Sequence, residues 1–298
     1  MTSPRFGRVL TAMVTPFEFD GSLDLKMAAI LARYLVEHGS DALVVAGSTG
    51  EGTSLSDEEK LALFAAVADA VNVPVLAGST SADTRRSVEL TSRVADLGVA
   101  GVLATTPAYA RPSQAGISAH LGRIADATPL PVMLYDIPSR TGRKIAASTV
   151  IELVRRHENI VALKDASADL AGAAHLKAVL GDAVDLYSGD DALTLPFMAI
   201  GAVGIVSVAA HWAGEYFAAM VRAADAGDWD DARRLNELLA ESCAFESSET
   251  YPNPVPAKAA MRTLGVDVGD CRLPHSAADE EIVARSARVL ATLAASRG

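Results

Sequence analysis

Short apolar runs alternate with longer amphipathic stretches along most of this chain. The runs Val9–Thr15, Ala42–Ala46, Val73–Ala77, Gly101–Thr105, Val132–Tyr135, Ile160–Lys164, Val184–Ser188 and Val203–Val208 read as strands. Between them, segments such as Glu58–Val71, Arg86–Leu97, Ser118–Ala127, Ala147–His157 and Ala171–Leu180 carry a helical spacing of apolar residues. Strands that begin roughly 20–30 residues apart, with helical segments between them, have the rhythm of β/α units. Eight such units predict an α/β fold, a (β/α)8 TIM barrel. An open doubly wound sheet would usually show a glycine fingerprint after its first strand, and none stands there. Ser56-Asp57-Glu58-Glu59 has the form of a capping box at a helix start. Pro107 and Pro138 end the fourth and fifth strands.

After Val208 the rhythm changes. Glu215–Ala226, Trp229–Cys243, Val255–Leu264 and Ala278–Ala295 all read as helices, with no strand between them and a break at Gly227-Asp228. The expectation is a barrel over residues 1–226 that carries the active site, followed by a C-terminal helical domain over 227–298.

Half of the 298 residues are hydrophobic, enough for a core of that size. The net charge of −11 argues against nucleic acid or an anionic membrane as a partner. Cys243 and Cys271 belong to no metal-type spacing, which favours a reducing cytoplasm over a disulfide framework. The N-terminus lacks the long apolar core of a signal peptide, and no stretch is long and apolar enough to span a bilayer. His38, His120, His157, His175, His211 and His275 are scattered. No metal-ligand pair, nucleophile elbow or P-loop is present, so no metal is expected.

In a parallel barrel, function gathers at the carboxyl ends of the strands. The most telling residue there is Lys164, an ammonium group closing the apolar run Ile160-Val161-Ala162-Leu163. Burying a charge is costly unless it is paired or neutralised, and a lysine of lowered pKa is a good amine nucleophile toward carbonyl compounds. Alternation puts Lys164 on one face with Ala162 and Ile160. The bland reading is a lysine whose stem packs while its amine reaches water. The loop Gly47-Ser48-Thr49-Gly50-Glu51-Gly52 offers small residues and hydroxyls that suit a carboxylate, near the helix that Ser56 caps; many such loops are only turns. Tyr135, on the face of Met133, could hydrogen-bond a reacting oxygen or be a buried aromatic. Arg140 could fork onto a substrate carboxylate or be an exposed loop arginine. Asp190-Asp191 suggests loop or helix-cap duty rather than a metal pair.

Taken together, these motifs resemble the dihydrodipicolinate synthase/N-acetylneuraminate lyase family of pyruvate-dependent class I aldolases. The resemblance runs over nearly the whole chain. It includes Thr11-Ala12-Met13-Val14-Thr15-Pro16-Phe17, Gly47–Glu51, Tyr109-Ala110-Arg111-Pro112-Ser113-Gln114, Tyr135–Gly142, Lys164-Asp165-Ala166, Ser188–Asp191 and Pro252-Asn253-Pro254-Val255-Pro256-Ala257-Lys258. The setting of Arg140 in Pro-Ser-Arg-Thr-Gly points to the synthase branch. The resemblance implies that Lys164 forms a covalent imine with pyruvate and that no other cofactor is needed. It implies that Ser48 and Thr49 hold the pyruvate carboxylate, that Tyr135 is the acid/base, and that Thr49 and Tyr109 relay protons. Arg140 would grip the carboxylate of L-aspartate 4-semialdehyde, and Gly189 and Val206 would line the pyruvate pocket. Tyr109 would come from a neighbouring subunit, within a tetramer built as a dimer of dimers.

Two departures follow. Ser48 stands for the usual threonine and keeps the hydroxyl. Ala108 stands where a second tyrosine is common. At the positions that bind inhibitory lysine in some members, this chain has Asp57, Lys60, Ala82, Arg86 and Ala108. Lys60 and Arg86 are expected to repel a bound lysine, so feedback inhibition is expected to be weak or absent. Two other readings stay open: a family aldolase that takes a sugar-acid or sialic-acid type of aldehyde, and a non-catalytic metabolite-binding relative.

Overall fold

The computed structural model describes residues 4–296. In chain order the elements are β1 (Val9–Ala12), α1 (Leu25–Glu37), β2 (Ala42–Val45), α2 (Asp57–Ala70), β3 (Val75–Gly78), α3 (Thr84–Val94), β4 (Gly101–Thr105), α4 (Gln114–Asp126), β5 (Val132–Asp136), α5 (Pro138–Thr141), α6 (Ala147–Arg156), β6 (Ile160–Asp165), α7 (Leu170–Leu180), β7 (Asp185–Ser188), α8 (Thr194–Ala199), β8 (Gly204–Ser207), α9 (Ala210–Asp225), α10 (Trp229–Phe245), α11 (Val255–Thr263) and α12 (Glu280–Ala295). The strands close in sequence order into one parallel barrel, with β1 paired to both β2 and β8. The expected (β/α)8 architecture is therefore present, with helices following the barrel.

Strand alternation divides the apolar residues into two layers. Leu10, Val44, Leu76, Leu103, Met133 and Val206 fill the barrel interior. Leu43, Val45, Phe64, Leu134, Leu163 and Phe217 pack between strands and helices. Each fully buried side chain of this kind contributes roughly 1.5–3 kcal/mol, so both layers hold the barrel closed. Tyr187 is fully buried, and its hydroxyl donates to the carbonyl of Gly7 at 2.8 Å. It ties β7 to the segment entering β1.

One strand departs from simple alternation. The β5–β6 register runs Val132↔Ile160 and then Met133↔Ala162, so Val161 is absorbed as a bulge. Ile160 consequently packs in the outer layer while Ala162 faces the interior. The expected shared face of Ile160, Ala162 and Lys164 is corrected to Ala162 and Lys164 alone.

Helix α2 starts as its sequence demands: Glu59 N donates to Ser56 Oγ at 3.1 Å, and Ser56 N donates to the Glu59 carboxylate at 2.8 Å. Helix α1 adds to the segments expected from periodicity. Helix α9 is kinked at Ala213 (φ −125°, ψ 20°), so the helical segment expected from Glu215 is preceded by a turn that starts at Ala210, directly after β8. Gly227 then adopts φ +81°, a left-handed turn that suits glycine, and α10 packs back on α9. Among the described residues no helix is long and apolar enough to cross a membrane.

Candidate active site

Lys164 lies near the carboxyl end of β6, between Tyr135 on β5 and Tyr187 on β7, and is 4 % exposed. Its Nζ sits 4.3 Å from the centroid of the Tyr135 ring, where the negative face of the aromatic favours a cation. Gly189 makes room for the lysine stem. A Cβ at that position would stand 3.0 Å from Lys164 Cγ and 2.9 Å from Ala166 Cβ. Val206 is buried in the same interior cluster as Tyr135. The structure thus brings Lys164, Tyr135, Gly189 and Val206 to one end of the barrel interior.

The loop after β2 is tightly turned. Ala46 and Glu51 both adopt φ +53°, which non-glycine residues hold only when their surroundings fix them. A Cβ at Gly52 would meet the Ala46 carbonyl at 2.1 Å, so only glycine fits there. The amides of Glu51 and Gly52 close the loop on the carbonyls of Ser48 (3.2 Å) and Gly47 (3.0 Å). Among the described residues the amides of Ser48 and Thr49 have no backbone acceptor. Two donors with adjacent hydroxyls suit an anion.

The loop is clamped from the C-terminal helices. Lys258 on α11 pairs with Glu51 at 2.9 Å, and both side chains are buried. Arg272 N donates to the other oxygen of Glu51 at 2.8 Å. Lys258 also donates to the Asp270 carbonyl at 2.9 Å and lies 4.3 Å from the Phe17 ring centroid. Burial lowers the Lys258 pKa, and the Glu51 charge opposes that shift.

Arg140 sits on α5, a single turn with Pro138 in its first turn and Gly142 (φ +73°) at its end. Its Nη2 donates to the carbonyl of Asn253 at 3.1 Å. The Asn253 side-chain amide donates to Thr49 Oγ1 at 2.9 Å, across 204 positions of sequence. Asn253 therefore touches the loop after β2 and the helix after β5 at once. A cleft of about 310 Å³ opens at this end, lined by Ser48, Thr80, Thr106, Ala108, Arg140 and His275 among others. The Thr106 hydroxyl is buried there without a hydrogen-bond partner among the described residues. Tyr109 stands apart from Lys164 within the single chain: it is 98 % exposed, with φ +68°.

Two sets of buried carboxyls flank the lysine strand. Asp191 accepts from the amides of Val208 (3.0 Å) and Ala209 (3.1 Å) and from the Ser207 hydroxyl, so it caps the start of α9. Asp190 accepts from Ala192 N at 3.0 Å. Both aspartates thus serve loops and caps. Glu246, just after α10, faces Asp191. Burial and the Asp191 charge raise its pKa well above the usual carboxyl range, while the Lys164 charge opposes this. On the other side, burial pushes Asp136 up to about 7, the Ile145 amide (3.1 Å) opposes, and the Asp165 charge adds to the rise. No group of three or more His, Cys, Asp or Glu side chains that could hold a metal ion occurs among the described residues.

The wall formed by Asp57, Lys60 and Arg86 needs one correction. Arg86 is engaged by Asp57 through hydrogen bonds of 2.9 and 3.0 Å, which offsets its charge. Lys60 is 3 % exposed, and burial lowers its pKa. Repulsion of a cationic ligand by this wall is therefore weaker than two free cations would give. Strand-end chemistry points to Thr106, at the end of the fourth strand, whereas periodicity and strand ends miss Asn253, Glu246 and His275. Only Asn253 carries a local signal, its place in the Pro252-Asn253-Pro254 run.

Comparison with known proteins agrees with this geometry. The model of the dihydrodipicolinate synthetase family matches residues 5–293. A 4-hydroxy-tetrahydrodipicolinate synthase of Moorella thermoacetica is 50 % identical over 280 residues, covering 93 % of this chain and 94 % of its own. The enzyme of that name from Acidothermus cellulolyticus is 48 % identical over 282 residues, covering 94 % and 90 %. Among solved structures, DHDPS from Cyanidioschyzon merolae with lysine bound superposes with a TM-score of 0.94 at 41 % identity, covering 98 % of this chain and 99 % of that one.

Proposed function

The chain belongs to the dihydrodipicolinate synthetase family, and we propose that it condenses pyruvate with L-aspartate 4-semialdehyde to give 4-hydroxy-tetrahydrodipicolinate, the entry to diaminopimelate and lysine. The observation that carries this reading is Lys164, buried against the Tyr135 ring with Gly189 clearing its stem. The Lys164 amine adds to the pyruvate carbonyl, and loss of water leaves an imine. Protonated, that imine draws electrons from the methyl group, whose deprotonation gives an enamine. The enamine carbon attacks the aldehyde carbon, and the aldehyde oxygen takes a proton. The amine of the second substrate then closes on the imine carbon and releases Lys164. The lysine supplies the covalent chemistry, so no metal or separate cofactor enters.

The supporting groups have defined tasks. Ser48 and Thr49 hold the pyruvate carboxylate through amides and hydroxyls. Tyr135 gives and takes protons at the imine, with Thr49 and the Tyr109 of a neighbouring subunit as the relay to solvent. Its exposure in the single chain suits such sharing, and a tetramer of two tight dimers is the assembly proposed. Arg140 grips the aldehyde's carboxylate, and Gly189 and Val206 line the pyruvate pocket. Residues 1–226 carry the reacting groups and 227–298 support them, in a cytoplasmic biosynthetic enzyme. Holding two anionic substrates beside one amine supplies proximity, a large share of the rate.

Ala108 on the cleft wall favours a second reading, a wider acceptor site for another aldehyde. A pyruvate-consumption assay with a panel of aldehydes separates the two. Aspartate semialdehyde should give the highest kcat/KM, and Arg140→Ala should lower it sharply. A sugar aldehyde with the higher kcat/KM, unaffected by Arg140→Ala, overturns the assignment.

A further inference from the structure

We propose that Asn253, in the helical extension, is a positioning residue that sets the direction of proton transfer through Thr49. The inference rests on the imine chemistry proposed above, in which Thr49 relays protons to Tyr135.

The argument begins with the number of protons on a hydroxyl. Thr49 Oγ1 has one proton to donate and two lone pairs to accept with. Asn253 Nδ2 donates to it at 2.9 Å. With one lone pair so engaged, the hydroxyl's own proton must go elsewhere, and in the relay its acceptor is Tyr135. The other lone pair remains to receive a proton from the solvent side. A donor bonded to an O–H oxygen also polarises that O–H and strengthens its own donation. Asn253 thus gives the relay a direction rather than merely filling space.

Its surroundings support this. Asn253 is 7 % exposed, and its Oδ1 is buried without a hydrogen-bond partner among the described residues. An unsatisfied buried acceptor is destabilising, so an apolar residue would pack here more favourably. What the amide gains in return is its donor end. The residue is also held in place: its amide N–H donates to Ser247 Oγ at 3.3 Å, and its carbonyl accepts from Arg140 at 3.1 Å. Because the Arg140 contact uses the main chain, a side-chain substitution leaves it intact. The Thr49 and Arg140 contacts of Asn253 can therefore be separated by mutation.

The test uses the full-length enzyme with pyruvate and aspartate semialdehyde, with borohydride trapping of pyruvate on Lys164 as a control in every variant. Asn253→Ala removes the donor. Asn253→Asp presents only acceptors and draws the Thr49 proton away from Tyr135. We expect kcat to fall about tenfold in the alanine variant, the equivalent of one hydrogen bond, and further in the aspartate variant. KM for the aldehyde should stay within about twofold, because the Arg140 contact remains. In a Thr49→Val background, Asn253→Ala should cost nothing more. Effects that multiply independently in the double variant, or an Asn253→Asp enzyme with wild-type kcat, overturn the proposal. If the wild-type enzyme traps no pyruvate, the imine chemistry itself fails. If it traps pyruvate while the double-mutant cycle is additive, only the role of Asn253 fails.

Discussion

Replacing Asp136 by asparagine should stabilise the protein, and increasingly so as the pH rises. Asp136 is 3 % exposed, and burial pushes its pKa up to about 7 from the ordinary 3.8. Between those values the folded protein keeps the proton and the unfolded chain has lost it. The folded state then binds more protons than the unfolded state, so stability falls with rising pH, by about 1.4 kcal/mol per unit at most. Across the whole window the loss is about 4 kcal/mol, and above pH 7 both states are ionised and it no longer grows. Asparagine has no proton to lose, and its Oδ1 can still accept from Ile145 N, now 3.1 Å from the aspartate oxygen. The variant should match wild type near pH 4, exceed it by about 1–2 kcal/mol at pH 5, and by about 4 kcal/mol at pH 8. Urea unfolding of both proteins at pH 5 and pH 8, followed by circular dichroism, measures this. An equal difference at the two pH values, or a less stable variant at pH 8, refutes the reasoning.

Other perturbations follow from the same geometry. Gly189→Ala places a Cβ within 3.0 Å of Lys164 Cγ, so pyruvate trapping and kcat should drop about tenfold or more while the circular dichroism spectrum is unchanged. An alanine variant with wild-type turnover would show that the lysine stem has slack. Lys258→Met strands the Glu51 charge in the interior and should cost about 3–5 kcal/mol in thermal or urea unfolding, with much of it recovered by adding Glu51→Gln. No recovery would mean that packing, not charge, accounts for the loss. Millimolar lysine should inhibit turnover weakly or not at all, because Ala82 and Ala108 present only methyl groups to the cleft and the Lys60 charge, weakened by burial, still opposes a cationic ligand. The Asp57–Arg86 pair softens this expectation without reversing it. Strong inhibition by sub-millimolar lysine contradicts it.

The sequence made the barrel legible because each strand is an apolar run and each run ends in polar chemistry. Lys164 could be singled out for that reason alone, and Ser56 and Glu59 announced the start of α2. Local pattern was blind wherever a contact depended on register or on long range. The bulge at Val161 is a two-strand property, so alternation alone puts Ile160 on the wrong face. Asn253 meets Thr49 only after the helices beyond β8 have folded back. Glu246 meets Asp191 in the same way, and Lys258 meets Glu51. Each of these tail residues looks like an ordinary surface or helix-end residue until its partner is known. The strand ends thus name the reacting groups, whereas the return of the C-terminal helices decides what surrounds them.

The central claim is that Lys164 forms an imine with pyruvate. Incubation with pyruvate and borohydride, followed by mass spectrometry of the digested protein, tests it directly. The account predicts a reduced pyruvate adduct on the peptide containing Lys164, with loss of activity in proportion to labelling and no labelling in Lys164→Ala. An unlabelled Lys164 in an otherwise active enzyme, or an adduct on another lysine that tracks the loss of activity, would contradict it.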